Sequence, residues 1–189
     1  MEKHKINLGL IIEGCLAQNP GSQRKLYELF YGYGMSLALQ FARHDIEAEE
    51  IFNDSFIHVF KHIDKFDTSF PFKPWLRRII INSAIDHHRK YKKFNNTYST
   101  ESVPERKEQD FEFEFDTAVD LLPILQKISP AYRMVFTLYI LEGYKHSEIA
   151  EMLDISVGTS KSNLTRAKRK LKEIWIKENG CPKKTNQYG

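Results

Sequence analysis

Two cysteines are all that this 189-residue chain contains. Cys15 and Cys181 lie near opposite ends and outside any CxxC or Cys/His spacing, so neither a zinc site nor a disulfide framework is expected and a reducing, cytoplasmic setting fits best. Glycine-rich phosphate loops, metal-ligand spacings and a nucleophile beside a base are also missing, which leaves no catalytic residue, metal or cofactor to assign and argues against an enzyme. His4 and the His87-His88 pair read as polar surface residues. The apolar run "INLGLII" stops at Glu13, far short of the ~20 residues that a spanning helix needs. It lacks a small-residue cleavage site, so it does not read as a signal peptide. With 28% charged residues and a mean hydropathy of -0.49, direct membrane insertion is not expected. A net charge of +3 is too small to name a partner, so the distribution of charge matters more than its sum.

What is present is helical patterning. It runs from Asn7 to Lys93, broken by turn signals at "NPGS" and "FDTSFPFKP", with no β-branched alternation. From Phe94 to Asp116 the periodicity is lost, and seven acids face only Arg106 and Lys107, the composition of an exposed flexible linker. Within it "DFEFEFD" alternates like a strand, but a lone strand has nothing to pair with, so an extended segment with docking aromatics is expected. Helical patterning resumes near Thr117, continues to about Lys177 and gives way to a polar tail. The expected fold is all-α: two small helical domains, residues 1–93 and 117–177, joined by a flexible acidic linker at 94–116 and followed by a flexible tail at 178–189.

Three stretches carry candidate function. In "HSEIAEMLDISVGTSKSNLTRAKRKL" (His146 to Leu171) one helix ends at Asp154, and Ser156 caps a second through the amides of Gly158 or Thr159. The second helix then presents a positive N-terminal end suited to phosphate. Its buried stripe, Leu164, Ala167 and Leu171, makes Lys161, Ser162, Thr165, Arg166 and Arg169 project elsewhere, as groove reading requires. The second stretch, Ile46 to Phe66, has Phe52, Phe56, Val59, Phe60 and Ile63 on one stripe and Glu49, Glu50, Asn53 and Asp54 outside it, an acidic face. In the third, a helix from Lys73 to about Lys93 holds Lys73, Arg77, Arg78, Arg89, Lys90, Lys92 and Lys93 against the single acid Asp86. It follows a loop with Phe66, Phe70, Phe72 and Trp75, which pairs phosphate affinity with rings on which an unstacked base could sit. Phe72 and Trp75, spaced with Leu76 and Ile79, are expected to put most of their surface into the core.

These stretches together resemble one family. "AEEIFNDSFIHVFKHIDKFD" resembles the core-polymerase-docking helix of bacterial sigma factors, usually AED-x-x-QE-x-F. "PWLRRIIINSAIDHHRK" resembles the promoter-reading helix that follows it, usually W-L-x-x-I-x-x-N-x-A-x-D-x-x-R. "EGYKHSEIAEMLDISVGTSKSNLTRAKRKLKE" is similar to region four, and the order and short length resemble the extracytoplasmic-function (ECF, group four) sigma factors. The resemblance implies that region two, about Gln23 to Lys93, binds the beta-prime clamp helices of core RNA polymerase and recognises and melts the minus-ten promoter element. Region four, about Thr117 to Lys177, would bind the beta flap and read the minus-thirty-five element.

It places Glu49, Glu50, Asn53 and Asp54 on the docking face. Asn82 falls on the asparagine associated with an extruded promoter base, beside the minus-ten set Phe66, Phe70, Phe72, Trp75, Arg77, Arg78 and Arg89. Lys161, Ser162, Arg166 and Lys168 fall on the minus-thirty-five-reading helix, with Ser156, Thr159, Thr165 and Arg169 completing that set. The family also implies an anti-sigma factor, often membrane-anchored, as a further partner. Three departures stand out: Asn53-Asp54 where Gln-Glu is usual, Ser160 where valine is usual and so packing is lost, and Asn163 where an arginine is common. A conventional helix-turn-helix regulator is the alternative, and it predicts duplex binding by the free protein at a twofold-symmetric operator.

Overall fold

The computed structural model describes residues 7–94 and 121–180, without the side chains of residues 92–94. The chain divides into two compact units, Met1–Lys90 and Tyr91–Gly189. In the first, Asn7 caps α1 (Leu8–Leu16), and Asn19, placed before a proline at the first helical position, caps α2 (Pro20–Ala38) by accepting from the Ser22 amide at 3.0 Å. The start of α3 (Asp45–His62) is capped by an imidazole in the usual hydroxyl's place, with a carboxylate reaching back to the residue before the cap. His44 Nδ1 accepts from the Glu47 amide at 3.2 Å, while the Glu47 carboxylate accepts from the Arg43 amide at 2.7 Å. A short 3-10 turn, Ile63–Lys65, and a loop lead into α4 (Phe72–Phe94).

Three of these helices meet at Gly34 on α2. A Cβ there would lie 2.2 Å from the Phe52 ring of α3 and 3.4 Å from Ile80 of α4. The missing side chain is what lets α3 approach. Phe52 is fully buried, and its ring stands 5.0 Å from Tyr27, 5.4 Å from Tyr31 and 4.8 Å from Phe56, in the tilted and edge-on arrangements that aromatic quadrupoles favour. On α4, Leu76, Ile80 and Ala84 recur along the buried side, widened by Ile81 and Ile85.

The second unit contains α5 (Leu121–Leu125), α6 (Pro130–Phe136) running into a wider π turn at Thr137–Leu141, α7 (His146–Leu153) and α8 (Val157–Asn179). Arg133 of α6 is buried. Its guanidinium donates to the carbonyls of Leu125 at 3.1 Å and Ile128 at 2.9 Å, at and just past the end of α5. Asp154 closes α7 in the left-handed region at φ 52°, a conformation that Asp tolerates better than most side chains. Ser156 then opens α8 by accepting from the Thr159 amide at 2.9 Å.

Every regular element among the described residues is helical, so the fold is all-α. Two boundaries differ from the sequence reading. α4 continues through Phe94, one residue into the expected linker, and α8 continues to Asn179, two past Lys177, because good helix formers carry the last turn until Gly180 at φ 81° stops it. "DFEFEFD", most of the linker and most of the tail lie outside the described residues.

Two glycines on α2 give opposite expectations for the same substitution. Gly32 meets nothing within 4 Å, so Gly32→Ala should stabilise by about 1 kcal/mol through helix propensity. Gly34→Ala pushes on a ring that cannot move away, and should destabilise by about 1–3 kcal/mol. Urea or thermal unfolding of the two variants checks the signs; equal shifts would mean that α2 and α3 are not in close contact at Gly34.

Candidate nucleic-acid interface and docking face

Because Ile51, Phe52, Phe56 and Val59 of α3 turn inward, Glu49, Glu50 and Asn53 are left exposed and Asp54 half-buried on the other side. The face is organised by its neighbours. Tyr27 of α2 donates its hydroxyl to Asn53 Oδ1 at 2.9 Å, which turns the amide nitrogen outward as a donor. Burial, with Tyr31 and Glu49 nearby, pushes the Tyr27 phenol above its ordinary range, so it remains a donor at neutral pH. Beneath the face Glu47 is 8% exposed. Burial alone would raise its carboxyl, but hydrogen bonds and the charge of Arg43, with His87, outweigh it and hold the group below the usual carboxylate range.

On α4 the exposed side carries Arg78, Asn82 and Arg89, with Arg89 3.7 Å from Asp86; Arg77 is half-buried. The four aromatics ahead of that face do not act alike. Phe70 is 67% exposed, whereas Phe72 is 3% exposed, its ring 4.8 Å from Phe30 and 5.3 Å from Phe66. Phe72 is therefore core and cannot offer a base its face, a correction to its place in the minus-ten set. Phe66 and Trp75, half-buried and 5.1 Å apart, form the support on which the loop rests.

The outer side of α8 holds Lys161, Thr165 and Arg169 exposed and Ser162, Arg166 and Lys168 half-buried, opposite Ser160, Leu164, Ala167 and Leu171. The hydroxyls of Ser162 and Thr165 donate to the helix's own carbonyls at Thr159 and Lys161, forming a small polar floor between the cations. Ser156 and Thr159 are exposed at the helix start, where the free amides and the dipole favour an anion. Farther along, Glu173 accepts from Lys170 at 2.9 Å and lies 3.8 Å from Arg169, so among the described residues the positive charge without an acidic neighbour concentrates in the first turns. Among the described residues no group of three His, Cys, Asp or Glu could hold a metal, and no helix is long and apolar enough to cross a membrane.

Comparison with known proteins identifies the family. The family model for Sigma-70 region 2 matches residues 26–94, and that for Sigma-70, region 4 matches residues 118–171. The chain belongs to the sigma-70 family. The ECF RNA polymerase sigma factor SigM of Bacillus subtilis is 27% identical over 154 residues, 80% of this chain and 93% of that protein. SigW of the same organism is 29% identical over 143 residues, covering 67% and 74%, and SigL of Mycobacterium tuberculosis is 27% identical over 165 residues, covering 85% and 93%. This is an ECF-type sigma factor, which directs promoter-specific transcription by RNA polymerase. A stand-alone helix-turn-helix regulator leaves the region 2 match over residues 26–94 without an explanation.

Within this sigma factor, Ser160 does not leave a hole where valine is usual. It is fully buried, and its hydroxyl lies 2.9 Å from His146 Nδ1, while the His146 ring stacks on Tyr139 at 4.3 Å. A polar bond thus replaces the lost packing, and both its members escaped the sequence reading as a pair because they lie on different helices. His87 is also misplaced by the sequence: it is half-buried between Glu47 and Glu50 rather than on the surface.

Burial, reinforced by Lys161, holds His146 below the ordinary histidine value of 6.5. The unfolded chain therefore takes up this proton first as the pH falls, so the stabilisation is whole above 6.5 and is lost below it. The melting temperature of the wild type should fall toward that of His146→Gln between pH 7.5 and the acid side of 6.5, a pH difference that parallel melts will reveal. A constant gap across the range would remove the titration from the account.

Proposed function

We propose that three surfaces divide initiation among them. The acidic face of α3, Glu49, Glu50, Asn53 and Asp54, docks on the clamp helices of core polymerase. The outer side of α4, with Phe70 ahead of it, reads and opens the minus-ten element. The first turns of α8 read the minus-thirty-five element, region four also meeting the beta flap. An anti-sigma factor, the further partner that membership of this family implies, completes the partners. The observation that carries this reading is the segregation of charge by helix face: carboxylates remain outside the stripe of α3, and cations outside those of α4 and α8. No bond is made or broken by this chain; the polymerase supplies the chemistry.

Opening DNA requires a base to leave the stack, which costs a few kcal/mol that stacking and polar contacts must return. Phe70 supplies an exposed ring, Asn82 an exposed amide, and Arg78 and Arg89 exposed cations for the backbone. Phe70→Ala with Asn82→Ala should leave core binding intact while lowering permanganate reactivity of promoter thymines and transcript yield on duplex templates. A template mismatched across the minus-ten region should recover part of the yield. Normal opening by the variant, or an equal defect on the premelted template, would remove strand separation from these residues.

On α8, Lys161→Ala and Arg166→Ala separate two kinds of contact. Loss of a phosphate contact should weaken all promoters alike and reduce the salt slope by roughly one, whereas loss of a base contact should cost about 1–3 kcal/mol and relax preference at one position. Binding titrations over a promoter set at two or more salt concentrations give the answer. Reversing the charge of both Glu50 and Asp54 should weaken the complex with core, since like-charge contacts at an interface cost several kcal/mol. Pull-down at wild-type affinity would move the docking surface elsewhere.

A further inference from the structure

His87 stands where a core residue of α4 would stand. The buried positions Leu76, Ile80 and Ala84 step along one side of the helix at intervals of four, and three residues on the next position is His87. A polar ring turned toward the interior needs partners, and it has one for each nitrogen. Nδ1 is 3.5 Å from Glu47 Oε1, and Nε2 is 3.3 Å from Glu50 Oε2, both on α3. A protonated ring donates to both carboxylates, and a neutral ring donates to one. Glu47 is itself fixed by the Arg43 amide at 2.7 Å and the Arg43 Nε at 3.0 Å. The result is a polar chain, Arg43 to Glu47 to His87 to Glu50, that starts at the cap of α3 and ends on the docking face.

The two carboxylates differ in what remains open. The Glu47 side chain is 10% exposed and that of Glu50 is 62% exposed. A carboxylate has about four acceptor positions, so Glu50 can receive a partner's donors while His87 holds one oxygen. A free glutamate on a helix surface would have to lose its rotamer freedom when a partner binds; one already held has less to lose. We infer that His87 is a positioning residue for polymerase docking: from the DNA-facing helix α4 it orients the Glu50 carboxylate on α3 before core arrives. The inference rests on the docking role proposed above for α3. It also means that the seating of α4 and the geometry of the docking face are linked, so that a change in either is felt by the other.

The test is a double-mutant cycle on core binding with the full chain. Fluorescently labelled wild type, His87→Ala, Glu50→Ala and the double variant are titrated with purified core polymerase, and melting temperatures are recorded alongside. The expected result is a two- to fivefold loss for His87→Ala, on the order of what one immobilised side chain contributes. A larger loss is expected for Glu50→Ala, with no further loss when His87→Ala is added to it. His87→Gln, whose amide can donate to the same carboxylate, should recover part of the affinity. A role confined to folding would make His87→Ala equally harmful with and without Glu50, and that outcome overturns the inference, as does unchanged affinity for His87→Ala where Glu50→Ala weakens binding. If Glu50→Ala itself leaves affinity unchanged, the docking role of Glu50 is wrong and the inference falls with it.

Discussion

The contact of Phe52 with the bare backbone at Gly34 is the constraint on which the first unit depends. An aromatic ring that large fits against α2 only where no Cβ intervenes, and Ile80 closes the same space from α4. Once Phe52 is fixed inward, helical geometry leaves little choice for the rest of α3. Phe56 and Val59 follow it into the core, while Glu49, Glu50 and Asn53 are carried to the opposite side. The acidic face of α3 is therefore a by-product of how the core packs, and its precision comes from the rigidity beneath it. The shorter Asn53 has lost the reach of a glutamine, but Tyr27 fixes its direction.

The second unit secures α8 by polar means. Arg133 could not be buried without acceptors, and the carbonyls of Leu125 and Ile128, at and just past the end of α5, supply them. Between the start of α7 and the first turn of α8, the half-buried His146 and the buried Ser160 form another polar pair. Such a pair is directional where a valine is not, so it favours one rotation of α8 about its axis over its neighbours. That rotation decides which of Lys161, Arg166 and Lys168 faces outward.

Charge in this sigma factor is separated by surface rather than by domain. Within the first unit an acidic face on α3 and a basic face on α4 belong to adjoining helices, and the imidazole of His87 stands between them. An acidic surface repels DNA phosphates while a basic one attracts them, so under the proposed roles each partner is steered away from the other's face.

The helical regions and their apolar stripes were legible from the sequence, because amphipathic periodicity is a local property of neighbouring residues. So were Ser156 as a cap, the inward Leu164, Ala167 and Leu171, the outward acids of α3 and the preference of Phe72 for the core. His44 as a cap was missed because the imidazole is an uncommon substitute for a hydroxyl or carboxylate there. His87 could have been placed inward by extending the Leu76, Ile80 and Ala84 stripe, yet nothing local names its partners. Tyr27 with Asn53, His87 with Glu47 and Glu50, His146 with Ser160, and Arg133 with the end of α5 were decided by tertiary structure alone. A hydrogen bond between helices depends on which rotation each helix adopts when its stripe is buried, and that rotation is set by the packing of all the helices together.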